Sequence, residues 1–195
     1  MPWYWILIIL SAAFGPFEAL HALNKARRKR EEAERKRREE KESKPENRKI
    51  MISACLLGQN CKYNGGNNRN PELLRLLEGY ALIPVCPEVL GGLPVPRTPA
   101  EIVNGRVMNR NGEDVDAAFR RGAEKALALA EKEQPELIVL QSRSPCCGVN
   151  EIYDGTFSNT LVPGRGVFAE AAKEAGFRIA DAGDMILKAR ERELL

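Results

Sequence analysis

Histidine is almost missing from this chain. His21 is the only one in 195 residues, and it lies ahead of the part that reads as a folded domain. A metal site inside that domain therefore has no imidazole to draw on. Cysteine is scarce as well, with five in all: Cys55, Cys61, Cys86, Cys146 and Cys147. An odd number, in a chain long enough to bury its own core, does not suit a disulfide framework. No two of them stand in the CxxC spacing of a zinc finger. Aromatic residues make up 6% of the chain, and nowhere do they interleave with a basic face as in a nucleic-acid-binding surface. No nucleic-acid polymer is expected as a partner, and a reducing compartment fits the cysteine usage.

The charge that is present is unevenly placed. Residues 24–50 carry 13 Lys and Arg against 7 Asp and Glu, whereas residues 51–195 carry 17 against 19. The basic character belongs to a leader, and the rest is mildly acidic. Long apolar runs are also confined to that leader, in "PWYWILIILSAAFGPF" from Pro2 to Phe17. A spanning helix needs about 20 apolar residues, so residues 1–23 read as a short membrane-anchor helix, with attachment through residues 3–23. "KARRKR" follows it, which by the positive-inside tendency keeps the remainder on the cytoplasmic face. Charge after the apolar run, not before it, argues against a cleaved signal peptide. Residues 24–48 have Glu and Lys/Arg at i, i+3 and i+4 without an apolar stripe, as expected of an exposed helical linker. Met51 opens what reads as a complete domain and is a conceivable internal start.

From residue 49 onward, strand-like and helix-like segments alternate. "KIMISAC", "YALIPVC", "ELIVLQS" and "FRIADA" are β-rich, and "NPELLRLLEG", "EDVDAAFRRGAEKALALAEKEQP" and "GRGVFAEAAKEAG" have helical periodicity. The alternation predicts an α/β domain over 49–195, a Rossmann-like parallel sheet with helices on both faces. In such sheets ligands bind outside the carboxyl ends of the strands. Cys55, Cys86 and one of Cys146 and Cys147 each stand at or just past such an end. Three thiols from separate loops would then meet on one edge. They suit zinc with a fourth ligand (Cys61 or a carboxylate), or a 4Fe–4S cluster with one iron left open as a Lewis acid. Neighbouring residues of an extended chain point to opposite faces, so only one of Cys146 and Cys147 is expected to join the site.

Four segments, "SACLLGQNCKYNGG", "PVCPEVLGGLPVPRTPAEI", "NGEDVDAAFRRGA" and "SRSPCCGVNEIYDGTF", together resemble the thiouracil desulfurase family. The likeness runs from about Lys49 to Phe177, and the leader has no counterpart in it. The resemblance implies a 4Fe–4S cluster held by Cys55, Cys86 and Cys147, whose open iron takes sulfur from a thiolated pyrimidine. Water then replaces the sulfur on carbon without net redox change. It also casts Glu88 and Ser144 as the acid–base and substrate-positioning residues. Glu88, two residues past a ligand, is close enough to move a proton. Ser144, three residues before Cys147, can donate to charge developing on substrate, or serve as a turn residue ahead of Pro145.

Two positions depart from the family's usual pattern: Asn64 replaces a carboxylate and Cys146 replaces a serine. Cys61 reads as a packing residue. "GGLPVPR" reads as a stiff loop near the pocket, with Arg97 placed to bind an anionic or carbonyl-rich substrate. Two other functions compete with the desulfurase: a membrane-tethered iron–sulfur sensor without turnover, and a zinc–thiolate hydrolase.

Overall fold

The computed structural model describes residues 21, 23–25, 27–36 and 48–193. The chain divides into two compact units, Met1–Lys44 and Pro45–Leu195. In the first, residues 27–36 are helical and exposed, with Arg27–Glu31 (2.8 Å) and Lys36–Glu32 (3.5 Å) pairs one turn apart. The apolar run on which the membrane anchor rests lies outside the described residues. Among the described residues no helix is long and apolar enough to cross a membrane.

In the second unit the elements run as follows: β1 (Lys49–Ser53), a 3-10 turn (Ala54–Leu57), α1 (Pro71–Leu76), β2 (Ala81–Val85), α2 (Pro87–Leu90), and the hairpin β3 (Ala100–Val103) with β4 (Arg106–Asn109). Then come α3 (Asp116–Glu133), β5 (Leu137–Leu140), the hairpin β6 (Glu151–Tyr153) with β7 (Leu161–Pro163), α4 (Val167–Glu174), β8 (Ile179–Asp181) and α5 (Ala182–Glu193). Four strands form one parallel sheet in the order β2-β1-β5-β8. Pro84, which has no N–H for a ladder, sits in β2 on the sheet's edge, where one is not needed on both sides.

Alternation along the central strands builds a core on each face. Met51, Ile138 and Leu140 turn toward α3 and α4, against Phe119, Ala123, Ala126 and Phe168. Ile50, Ile52 and Val139 turn the other way, against Leu73, Leu77, Ala182 and Ile186 from α1 and α5. Phe119 and Phe168 are all but fully buried, each contributing about 3 kcal/mol or less by transfer from water. This is the parallel α/β sheet with helices on both faces that the alternation predicts.

Met51 is not the edge of anything. It is the third residue of β1, wholly buried, and registers with Ile83 on one side and Ile138 on the other. A chain starting there would bring a charged amino group to the sheet interior and would lose Ile50, also buried. It would further lose the Arg48–Glu136 and Lys49–Glu133 pairs.

The path of the chain fixes where a site can form. From β1 it moves to β2 on one side, and later returns to β5 on the other. The reversal leaves a crevice at the carboxyl ends of β1 and β5. Two glycines shape one wall of it. A Cβ on Gly91 would stand 2.1 Å from the Ala118 carbonyl oxygen, and one on Gly122 would stand 1.9 Å from that of Pro87. Only glycine lets α2 and its end lie backbone to backbone on α3.

Candidate active site

The strand ends deliver the thiols. β1 runs into the 3-10 turn that carries Cys55, stopped at Gly58 with φ of 100°. β2 ends at Val85, and Cys86, the next residue, opens α2, with Pro87 following at the first helical position. β5 leads to a tight turn in which the Ser144 hydroxyl accepts the backbone N–H groups of both Cys146 and Cys147, each at 3.1 Å. Cys55, Cys86, Cys147, Glu88 and Ser144 all line one cavity of about 450 Å³. Every site residue expected from the sequence therefore comes to the same place. All five cysteines are free thiols.

Cys146 does point elsewhere. It is fully buried in the α3/α4 core and does not line the cavity. Hydrogen bonding to Cys147, then burial, push its thiol well above the usual range. Its carbonyl accepts the N–H groups of Phe168 and Ala169 at the start of α4. That close approach is possible because Gly166 has no Cβ: one placed there would stand 2.4 Å from the Cys146 carbonyl carbon.

Cys61 is more than a packing residue. It touches the α1/α5 core but also lines the cavity, half-buried, and its carbonyl accepts from the Cys86 thiol at 3.9 Å. Hydrogen bonding to Cys55 leads in pushing Cys61 up to about 11, and hydrogen bonding to Cys61 leads in pushing Cys86 up further. As thiols, then, these groups hold their protons, and metal binding must displace them. The sequence offered a signal for Cys61 only in its place on the loop after β1.

Arg97 does not wait for an anionic substrate. Its Nε and one terminal nitrogen both donate to Glu88 Oε2, at 2.8 and 2.7 Å. The same terminal nitrogen donates to the Cys61 carbonyl (3.0 Å) and the other to that of Pro94 (3.1 Å). Four of its five N–H groups are thus committed, so the expected role in binding substrate is corrected. Glu88 Oε1 is left to face the Ser144 hydroxyl at 3.4 Å. Ser144 consequently serves both as turn residue and as a donor inside the site. Asn64 is absent from the lining, and its side chain closes a turn onto the N–H of Gly66.

Four residues of the cavity's lining carry no signal in the sequence. Tyr63, Arg110, Tyr153 and Asn159 line the cavity, brought there by loops and by the β6–β7 hairpin. Glu101, buried in β3, holds that hairpin by accepting the N–H groups of Gly155 and Phe157, each at 3.0 Å. Arg143, also in the lining, has φ of 63°, a conformation uncommon for a residue with a side chain.

Among the described residues no three His, Cys, Asp or Glu close on a single ion. Zinc would need thiolates drawn in to bonds of about 2.3 Å around one centre. Three thiols lining one cavity of about 450 Å³ suit a larger group, whose metal atoms each take a different ligand.

Comparisons with known proteins agree with this geometry. Residues 50–184 match the 2-thiouracil desulfurase family. The chain is 36% identical over 146 residues to an uncharacterised Bacillus subtilis protein, YbbK, covering 70% of this chain and 97% of that one. It is also similar to the solved structure of the 4Fe–4S-dependent thiouracil desulfidase TudS. There the identity is 35% and the TM-score 0.67, across 76% of this chain and 99% of the other. On the family match over residues 50–184 and the 36% identity to YbbK, the chain belongs to the 2-thiouracil desulfurase family.

Proposed function

We propose that this protein removes sulfur from a thiolated pyrimidine such as 2-thiouracil, releases it as sulfide and puts oxygen from water in its place. A C=S group and water become C=O and hydrogen sulfide, and no electrons are gained or lost. The observation that carries the reading is the convergence of Cys55, Cys86 and Cys147 with Glu88 and Ser144 on one cavity.

Cys55, Cys86 and Cys147 would hold a 4Fe–4S cluster. The donor set fits it: three free thiols from three loops, no histidine in the domain, and one cavity of about 450 Å³ that all three line. Bound by only three thiolates, such a cluster offers one open iron as a Lewis acid for the substrate's sulfur. Similarity to a 4Fe–4S-dependent thiouracil desulfidase favours the cluster over the zinc hydrolase.

The chain's own residues supply the rest. Glu88 Oε1 is the oxygen free to work, because Oε2 is held by Arg97. It takes a proton from water as the oxygen adds to carbon, and returns it to the departing sulfur. Ser144 Oγ, 3.4 Å from that oxygen, has one proton to donate to Glu88 or to the substrate. Its lone pairs hold the Cys147 turn at the same time. A sensor needs only the ligands, and a carboxylate held with one oxygen on the cavity favours turnover. The leader, on this reading, tethers the domain to the cytoplasmic face of a membrane and takes no part in the chemistry.

Sulfide release from 2-thiouracil by anaerobically reconstituted protein tests the proposal, run in water enriched in heavy oxygen. Label should appear in the uracil, one oxygen per sulfide. Glu88→Gln should keep the visible absorption of the cluster and lose about 100- to 10,000-fold in rate. An intact cluster with no sulfide from any thiolated base would overturn it.

A further inference from the structure

The Glu88–Arg97 pair is built more carefully than an ion pair at the mouth of a cleft needs. The side chains are 16% and 7% exposed, so neither charge can be left alone without a large desolvation cost. Both Arg97 donors converge on the same carboxylate oxygen, Oε2. A salt bridge serving stability alone gains more from the two-oxygen fork, as Arg190 makes to Glu72 elsewhere in the fold. Here the fork is turned so that Oε1 stays open.

The guanidinium is itself immobilised. Its other donors bind the carbonyls of Pro94 and Cys61, and its backbone N–H binds the Tyr63 carbonyl at 2.7 Å. These contacts reach the loop after β1, which carries Cys61 and Tyr63, and Pro94 on Arg97's own loop after α2. Glu88 stands on a four-residue helix and has several rotatable bonds, so its own backbone does not fix where the carboxylate lies.

We infer that Arg97 is the positioning residue for proton transfer: it clamps Glu88 Oε2 and thereby presents Oε1 alone to Ser144 and the substrate. The inference rests on the reading of Glu88 as the acid–base group. It extends that reading by assigning the two oxygens different tasks. Lysine cannot reproduce the arrangement, since a single ammonium is a point charge without the planar fork or the reach to three acceptors.

The test is a double-mutant cycle on the full chain, reconstituted without air, with Arg97→Lys, Arg97→Gln, Glu88→Gln and Glu88→Gln/Arg97→Gln. Four quantities are read: the cluster's visible absorption, the unfolding midpoint of the cluster-free protein, kcat and KM for 2-thiouracil. Arg97→Lys should keep the absorption and leave KM within about twofold. It should lower kcat by about 10- to 100-fold, the usual consequence of a catalytic group displaced by about 1 Å. In the Glu88→Gln background, Arg97→Gln should change kcat by no more than about twofold, because a residue that acts only through Glu88 has nothing left to act on. In the cluster-free protein the pair should be coupled, the double variant unfolding at a higher temperature than additivity of the singles allows.

Wild-type kcat in Arg97→Lys would overturn the inference. So would loss of the cluster's absorption in that variant, or Arg97→Gln lowering kcat as much without Glu88 as with it. Each of these leaves the acid–base role of Glu88 standing. Wild-type kcat in Glu88→Gln would instead remove the reading on which the inference rests.

Discussion

Replacing Gly122 by alanine presses one methyl group into the backbone of α2, and its effect reaches both stability and catalysis. The added Cβ would lie 1.9 Å from the Pro87 carbonyl oxygen, 2.8 Å from its carbon and 3.1 Å from the Gly91 nitrogen. Ordinary contact begins at about 3.4 Å, so the two backbones must part by roughly 1.5 Å. No rotamer change relieves this, since every atom concerned is main chain. Overpacking of this kind costs about 3 kcal/mol at the upper end of its usual range. Alanine's better helix propensity returns about 1 kcal/mol. The net loss of about 2 kcal/mol corresponds to a fall in Tm of roughly 4–8 °C for a domain of this size. Pro87 also sits between Cys86 and Glu88, so the same movement shifts the proposed cluster ligand and the proposed acid–base carboxylate. A displacement of about 1 Å at a catalytic group costs up to about 100-fold in rate. Thermal unfolding of the cluster-free protein and sulfide release by the reconstituted one, both on Gly122→Ala, make the measurement. An unchanged Tm would refute the packing argument. A lowered Tm with wild-type turnover would show that α2 does not transmit the strain to Glu88.

Three further outcomes are expected. Cys147→Ser should lose the absorption of the reconstituted protein at about 400 nm together with activity, whereas Cys146→Ser should keep both and unfold at a lower temperature, since it buries a hydroxyl in an apolar core; loss of the absorption in Cys146→Ser would reverse the assignment of the two thiols. Burial opposes ionisation of Asp116, yet hydrogen bonds from Arg120 and the Val107 N–H outweigh it and hold the carboxyl below its usual range. Its folded value is depressed, so its stabilisation is present above about pH 4 and fades as pH falls through the folded value; the Tm gap between wild type and Asp116→Asn should narrow only in acid. Finally, cell fractionation should find the full chain with membranes and a chain starting at Pro45, the first residue of the second unit, in the soluble fraction; equal solubility of the two would remove the tether.

What the sequence made legible and what it hid divide along a physical line. A buried parallel strand is a run of β-branched and apolar residues, and its end is marked when the run stops, so runs ending at Cys55, Cys86 and Ser142 were visible, one or two residues past the observed ends at Ser53, Val85 and Leu140, and the cysteines at or just past them were candidates. The hairpins β3–β4 and β6–β7 were not. Their strands are three or four residues long, too short for alternation to rise above chance. With them went part of the cavity's lining, including Tyr153 and Asn159. Helix α5 was missed because its apolar residues, Met185, Ile186 and Leu187, are consecutive and a polar tail follows them, with only Ala182 and Ile186 well buried. Arg97 was visible as a charged residue on a proline-stiffened loop, and a free cation in a cleft is fairly read as an anion binder. Its partner could not be read at all: Glu88 lies nine residues earlier on another element, and only the turn between them brings guanidinium to carboxylate. That is also why the pair matters to the chemistry. The proposed ligands are placed by strands, which tolerate many sequences, but the proposed working oxygen of Glu88 is left free by two hydrogen bonds that one side chain makes to the other oxygen. The cluster site should therefore survive substitutions in the α2–β3 loop that the reaction does not. Variants lengthened by one residue between Pro94 and Arg97 should reconstitute normally, with wild-type absorption and a rate as low as that of Arg97→Gln; recovery of the wild-type rate in such a variant would mean that the loop does not set the carboxylate.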